Sequence, residues 1–251
     1  MEYAYVSSSV SIKKISEDDK NGVFEISGLF AGYGLTIGNA LRRALLSSLP
    51  GAAVTEIKVK NALHEFSTIH GVKEDVVEIV LNFKKLRFRL NTDEPQVLLL
   101  KTKGEKIVTG ADIKLNSEVE LMNPESVIAT CTSKDAELEI EVTVERGLGY
   151  VPVETRKAEG GKSSINSIPV DAIFTPVQKV NYTIEDMRIG DRTDYNRLKI
   201  EITTDGSISP SLALHKASNI LKDHFEKVSA IEIFEEDESK EPVKKIKKAA
   251  K

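Results

Sequence analysis

Gly32-Tyr33-Gly34-Leu35-Thr36-Ile37-Gly38-Asn39-Ala40-Leu41-Arg42-Arg43-Ala44-Leu45-Leu46-Ser47-Ser48-Leu49-Pro50 reads as a glycine-bearing turn feeding a helix that a proline closes. Thr36 is the expected N-cap, because a hydroxyl can accept a bond from an orphan amide of the first turn. Pro50 biases Leu49 away from the helical region and stops the helix there. Advancing each residue by about 100° gathers Ile37, Leu41, Ala44, Leu45 and Leu49 on one side. Arg43 falls nearly opposite the centre of that stripe, Arg42 at its border and Leu46 off it. Such a helix is too apolar for a simple surface helix, yet carries two charges in its middle. One face suits its own core and another a second protein.

Upstream, Val10–Ile15 and Gly22–Phe30 alternate around the turn residues 17–22 and read as a hairpin. Downstream, 54–59 alternates as a strand and 63–71 is a loop. Val72, Val76, Val77, Ile79, Val80 and Phe83 return to helical spacing, with Glu74, Asp75 and Glu78 early and Lys84-Lys85 late, the order the macrodipole favours. Residues 86–90 form a strand, and 95–155 runs strand after strand between Gly, Asn, Asp and Pro, as in an antiparallel sheet. A polar loop is expected at 157–168, then strands at 169–175, 177–186 and 197–204. Ser209-Pro210 opens a second long helix, cap and first position respectively. Its apolar seam is Ala213, Leu214, Ala217, Ile220, Leu221, Phe225 and Val228, near heptad spacing. That seam fits either the domain's own sheet or a copy of itself. The tail at 235–251, acidic and then lysine-rich, cannot bury enough apolar surface to order itself.

The fold class expected is α+β in two subdomains. One is built from both chain ends, 1–50 plus 177–234, with two long helices and a small antiparallel sheet. The other is a strand-rich insertion, 51–176, leaving 235–251 as tail or linker. The 251 residues, 40% hydrophobic and 29% charged, are an ordinary globular composition. A net charge of −4 gives no overall basic field for nucleic acid. One cysteine, Cys131, excludes an internal disulfide and a thiolate cluster within one chain. No apolar run approaches the roughly 18 residues that span a bilayer. Met1-Glu2-Tyr3-Ala4-Tyr5 has no signal pattern, so a cytoplasmic protein without membrane contact is expected.

Several motifs invite chemistry and favour plainer readings. Gly32, Gly34 and Gly38 resemble a phosphate loop, with Glu56 where a ribose-binding acid would sit. The spacing is G-x-G-x-x-x-G, however, and the next strand alternates instead of running apolar, so a structural turn is preferred. His64 and His70 lie six apart in a loop, not at i and i+4 on a helix, which argues against zinc. His215 and His224 read as surface or interface groups. Cys131 sits in a strand with no basic neighbour and reads as a structural thiol. Arg42-Arg43 fits a phosphate clamp, a partner anchor or a solvated pair.

The stretch 32–51, together with Leu63-His64-Glu65-Phe66-Ser67-Thr68 and Gly71-Val72-Lys73-Glu74-Asp75-Val76, resembles the alpha-subunit family of bacterial DNA-directed RNA polymerase. Arg146-Gly147-Leu148-Gly149-Tyr150-Val151-Pro152, Pro169-Val170-Asp171-Ala172, Thr175-Pro176-Val177 and Arg192-Thr193-Asp194 extend the likeness in the family's order, over about residues 5–234. The resemblance implies a non-catalytic scaffold of the transcription enzyme, a nucleotidyltransferase complex. It would homodimerise through its two long helices and nucleate assembly of the beta and beta-prime subunits. No cofactor is expected in this chain; the magnesium and zinc of the holoenzyme would lie in other subunits. By the same resemblance, Arg43 would anchor beta, with Thr36, Asn39, Arg42, His64, Glu65 and Asp75 beside it. Lys84, Val170 and Arg192 would face beta-prime in the other copy. Tyr33, Leu35, Leu46, Leu214, Ala217, Ile220, Leu221, Phe225 and Val228 would form the dimer interface. Family members usually continue into a small DNA-binding C-terminal domain; this chain stops at Lys251, within what resembles the linker. DNA contact is not expected without that domain, beyond weak, salt-sensitive phosphate contacts from the lysine tail. The rival readings are a nucleotide-binding enzyme using the glycine turn and a free-standing homodimer.

Overall fold

The computed structural model describes residues 10–60, 62, 64–158 and 167–231. The expected tail at 235–251 and the 159–166 part of the expected polar loop lie outside them. Strands β1 (Ser11–Glu17) and β2 (Asn21–Leu29) lead into helix α1 (Tyr33–Ser47), then β3 (Pro50–Val59) and helix α2 (Val76–Lys84). There follow β4 (Phe88–Leu90), β5 (Gln96–Lys103), β6 (Lys106–Thr109), β7 (Ile113–Lys114), β8 (Val119–Leu121), β9 (Val127–Cys131) and β10 (Glu137–Leu148). Short elements come next: β11 (Tyr150–Val151), α3 (Val153–Ala158), β12 (Ile168–Pro169) and β13 (Ala172–Ile173). A long hairpin, β14 (Val177–Ile189) and β15 (Arg192–Thr204), precedes helix α4 (Pro210–Ser229). The α+β class is as expected.

β1 and β2 from early in the chain and β14 and β15 from late in it share one antiparallel sheet in the order β1-β2-β15-β14. Its register sets Phe24 opposite Ile200 and Ile26 opposite Leu198, so buried residues of both strands face one side. Leu41 and Leu45 of α1 and Ala213 and Ala217 of α4 close over that side and complete a core. The middle of the chain builds a second sheet, β7-β5-β10-β3-β4-β8, with β12 paired to β3. Central strand β10 alternates buried Leu138, Ile140, Val142 and Val144 with Glu139, Glu141 and Thr143, and those apolar residues pack with Ile79 and Phe83 of α2. The chain crosses between the sheets at Leu49–Gly51 and returns at Thr175–Val177. A Cβ on Gly51 would stand 1.8 Å from the Phe174 carbonyl oxygen, so only glycine fits where the outgoing and returning strands touch.

Three local expectations are corrected. Helix α1 begins three residues before Thr36: its N-cap is Gly32, left-handed at φ 83, and Thr36 lies inside the helix donating to the Gly32 carbonyl. The cap comes instead from Asn196 on β15, whose Oδ1 accepts from Gly32 N at 2.9 Å and Gly34 N at 3.4 Å. Helix α2 starts at Val76, not Val72, because the Asp75 carboxylate accepts from Glu78 N at 2.7 Å and fixes the first turn. The expected polar loop gives way at 157–158 to the end of α3 and at 168 to β12. The second long helix follows expectation: Ser209 Oγ accepts from Leu212 N and Pro210 takes the first turn.

Candidate protein-interaction surfaces

Helices α1 and α4 pack against each other over the first sheet and leave a groove on either side of their crossing. One groove, about 550 Å³, has Ala40, Ala44, Ile220 and Leu221 in its walls and carries Thr36, Asn39, Arg43 and His224 as polar groups. The other, about 650 Å³, is almost wholly apolar and is lined by Ile12, Leu29, Tyr33, Ile37, Leu221 and Phe225 among others. Thr36, Ala40 and Leu221 line both, so they form the ridge between them.

Arg42 and Arg43 are exposed, and among the described residues neither guanidinium has a hydrogen-bond or ion-pair partner. Arg43 lines the polar groove; Arg42 does not. Of the residues the resemblance assigns to beta, Thr36, Asn39 and Arg43 are thus brought together on α1. His64, Glu65 and Asp75 belong to the segment before α2, on the second core. That segment is tied down by Lys73 N to the Thr130 carbonyl and by Glu74, which accepts from Thr130 N at 2.6 Å and from Thr130 Oγ1 at 2.9 Å. His64 Nδ1 lies 3.2 Å from Ser67 Oγ, and Asp75 is occupied as the cap of α2. Beside them Phe66 stands 76% exposed, a large apolar side chain that the sequence reading left unassigned.

The seam of α4 divides along its length. Ala213 and Ala217 are fully buried in the chain's own core, so Ala217 offers no side-chain surface to a second molecule. Leu214, Ile220 and Leu221 pack partly against that core, as does Leu46 of α1. Phe225 and Val228 are 65% and 70% exposed, and Ile231 just beyond the helix is 74% exposed. Tyr33 and Leu35 at the start of α1 are exposed as well. The apolar pattern therefore outruns the core that the described residues provide.

Lys84 ends α2 on the second core, whereas Arg192 begins β15 of the first sheet. The Lys84 ammonium at the end of α2 sits 3.5 Å from Asp171 and 5.8 Å over the Tyr150 ring. Asp171 also accepts from Val153 N and from the Tyr150 hydroxyl, both at 3.1 Å. The Val153 amide, with Tyr150 and Lys84, holds the Asp171 carboxyl below its ordinary range, and the bond to Asp171 raises the Tyr150 phenol. Val170, next in sequence, is 4% exposed and donates its amide to the Thr55 carbonyl; its side chain belongs to the core under this network and presents almost nothing to a partner. Arg192 forms a forked pair with Asp194 and lies over the rings of Phe30 and Tyr195 at 4.8 and 5.6 Å. Asp171 and Tyr150 both fall in stretches that carry the family resemblance; position alone in those stretches did not mark them as partners of Lys84.

The nucleotide reading of the glycine turn meets a physical objection. The first amides of α1 point at Asn196 Oδ1, and the strand before the turn is antiparallel to its neighbours. Gly34 and Gly38 serve close packing: a Cβ on either would reach 3.0 Å from Asn196 or from Leu198 and Tyr182. Among the described residues no three His, Cys, Asp or Glu side chains are grouped to hold a metal. Cys131 is buried, and burial pushes its thiol up, as a structural cysteine should behave. No described helix is long and apolar enough to cross a membrane.

The family described as RNA polymerase Rpb3/RpoA insert domain matches residues 56–175. Among similar proteins, the DNA-directed RNA polymerase subunit alpha of Moorella thermoacetica is 51% identical over 207 residues, 82% of this chain and 65% of that protein. The subunit of the same name from Symbiobacterium thermophilum is 47% identical over 90% of this chain and 73% of its own length. That from Alkaliphilus oremlandii is 44% identical over 93% and 76%. The chain spans about two thirds to three quarters of the length of these relatives.

Proposed function

The chain belongs to the family of bacterial DNA-directed RNA polymerase alpha subunits, and from that premise we propose that it is a non-catalytic scaffold which homodimerises and nucleates assembly of the beta and beta-prime subunits. The observation that carries this reading is the surface of α1 and α4. Exposed Phe225, Val228 and Ile231 extend an apolar groove, and Arg43, unpaired among the described residues, stands in the groove beside it. Apolar area of that kind is stabilised when a second molecule removes it from water. A two-fold pairing buries the same patch twice, once on each copy. An unpaired guanidinium at the edge of such a patch suits a carboxylate or main-chain carbonyls of a different protein.

A two-fold dimer displays every surface in duplicate. One copy would engage beta through Thr36, Asn39, Arg43 and the 64–75 segment. The other would engage beta-prime around Lys84, Asp171 and Arg192, with Val170 as the packing beneath. Catalytic metals would reside in the large subunits and none in this chain. Co-purification tests the reading: the chain, mixed with beta and beta-prime, emerges in one complex with both. A dimer that captures neither would leave a free-standing homodimer.

A further inference from the structure

We propose that Arg89 is a positioning residue that fixes the angle between the two sheets and thereby the spacing of the two halves of the beta-docking surface; this rests on the scaffold reading above. The two sheets are joined covalently at 49–51 and 175–177, and these crossings touch each other at Gly51 and Phe174. Two strands that pass through one place act as a hinge, so side-chain contacts beside them set the angle. Thr175 Oγ1 on the returning segment donates to the Leu46 carbonyl at 3.3 Å, and Met122, just past β8 of the second sheet, lies near Gly206.

Arg89 supplies a further such contact. Its residue lies on β4 of the second sheet, yet its Nε donates to the Ser207 carbonyl at 2.8 Å and its Nη2 to the Gly206 carbonyl at 3.3 Å. Both acceptors lie in the connection between β15 and α4 in the first sheet's layer, more than a hundred residues away in sequence. The third arm of the fork, Nη1, meets Glu120 on β8 at 3.0 Å and aims the guanidinium. The acceptor loop is itself held: Asp205 N donates to the Pro176 carbonyl, and the Asp205 carboxylate accepts from Ser207 N at 2.9 Å and from Ser207 Oγ. A rigid planar fork reaching two adjacent carbonyls fixes direction as well as distance; a lysine ammonium is a single point and does not.

The consequence reaches the partner surface because that surface is split. Thr36, Asn39 and Arg43 ride on the first sheet, while His64, Glu65 and Asp75 ride on the second core. Two half-sites bind as one only if their spacing matches the partner.

The test uses the full chain with spin labels on Lys134→Cys and Thr183→Cys, one on each layer, diluted into unlabelled dimer so that only distances within one chain are read. The wild-type chain gives one narrow distribution, and so does Glu120→Gln, which keeps both carbonyl contacts. Arg89→Gln broadens and shifts the distribution while sedimentation still finds the dimer, and its capture of beta falls although Arg43 is untouched. Arg89→Lys lies between, and it is read on the same scale if Arg89→Gln does not fold. A distribution that superimposes on wild type, in Arg89→Gln or in Arg89→Lys read in its place, overturns the proposal. Failure of the scaffold reading looks different: the wild-type chain then captures no beta at all, whatever the label distances.

Discussion

On the outer side of α1 the Arg43 guanidinium has no partner among the described residues, and its removal leaves the core of that helix untouched. Arg43→Ala is expected to keep the dimer by sedimentation and to lose beta. Truncating an interface arginine of this kind costs about 2 kcal/mol or more, roughly thirtyfold in affinity. Loss of the dimer in that variant would put Arg43 in the wrong interface. Glu17 makes a second residue-scale prediction. It accepts from Ser211 N at 2.8 Å at the start of α4 and from Lys14, and its pKa is lowered from 4.5 to about 2, chiefly by Ser211 and then Lys14. A depressed folded-state pKa contributes stability above 4.5 that is lost as pH falls toward 2. Thermal midpoints measured across that window should fall less steeply for Glu17→Gln than for wild type; parallel curves would refute the link. Gly51→Ala places a methyl 1.8 Å from a carbonyl oxygen. Overpacking of that severity is expected to cost about 3 kcal/mol or more in denaturant unfolding.

Helix α4 serves two masters along one stripe. Its first half packs Ala213 and Ala217 on the sheet, and its second half holds Phe225 and Val228 away from it. The two halves should therefore fail differently. Phe225→Glu should give a folded monomer. Losing a buried phenylalanine from both copies removes about 3–6 kcal/mol of association, a hundredfold or more in dissociation constant. Leu221→Glu lies on the ridge between the grooves, partly in the core, and should also lower the unfolding midpoint. An unchanged dimer in the Phe225 variant would place the interface elsewhere. Both long helices were legible from the sequence because periodicity and proline act within a few residues. The cap of α1 was not, because Asn196 reaches it from 164 residues away. Glycines 34 and 38 read as a loop signature because the same small residue serves phosphate cradles and tight helix–sheet contacts. The two-residue strands β7, β11, β12 and β13 are too short to show a period.

For the whole molecule, the order of strands and helices along the chain leads to the expectation of one subdomain from both ends and one inserted between them, and the strands join as β1-β2-β15-β14 and β7-β5-β10-β3-β4-β8. The insertion's junction was beyond reach. Nothing local in Phe88-Arg89-Leu90 says that the arginine crosses to a distant loop, or that Asp171 gathers Lys84 and Tyr150. Burial was equally hidden: Val170 and Ala217 carry the resemblance and the seam, yet sit in cores where a partner cannot touch their side chains. The scaffold account needs exposed apolar surface on α4 to be covered by a second copy. Sedimentation velocity across micromolar dilution tests that need most directly. The account predicts one species of twice the chain mass that persists on dilution; a single species of one chain's mass throughout would contradict it.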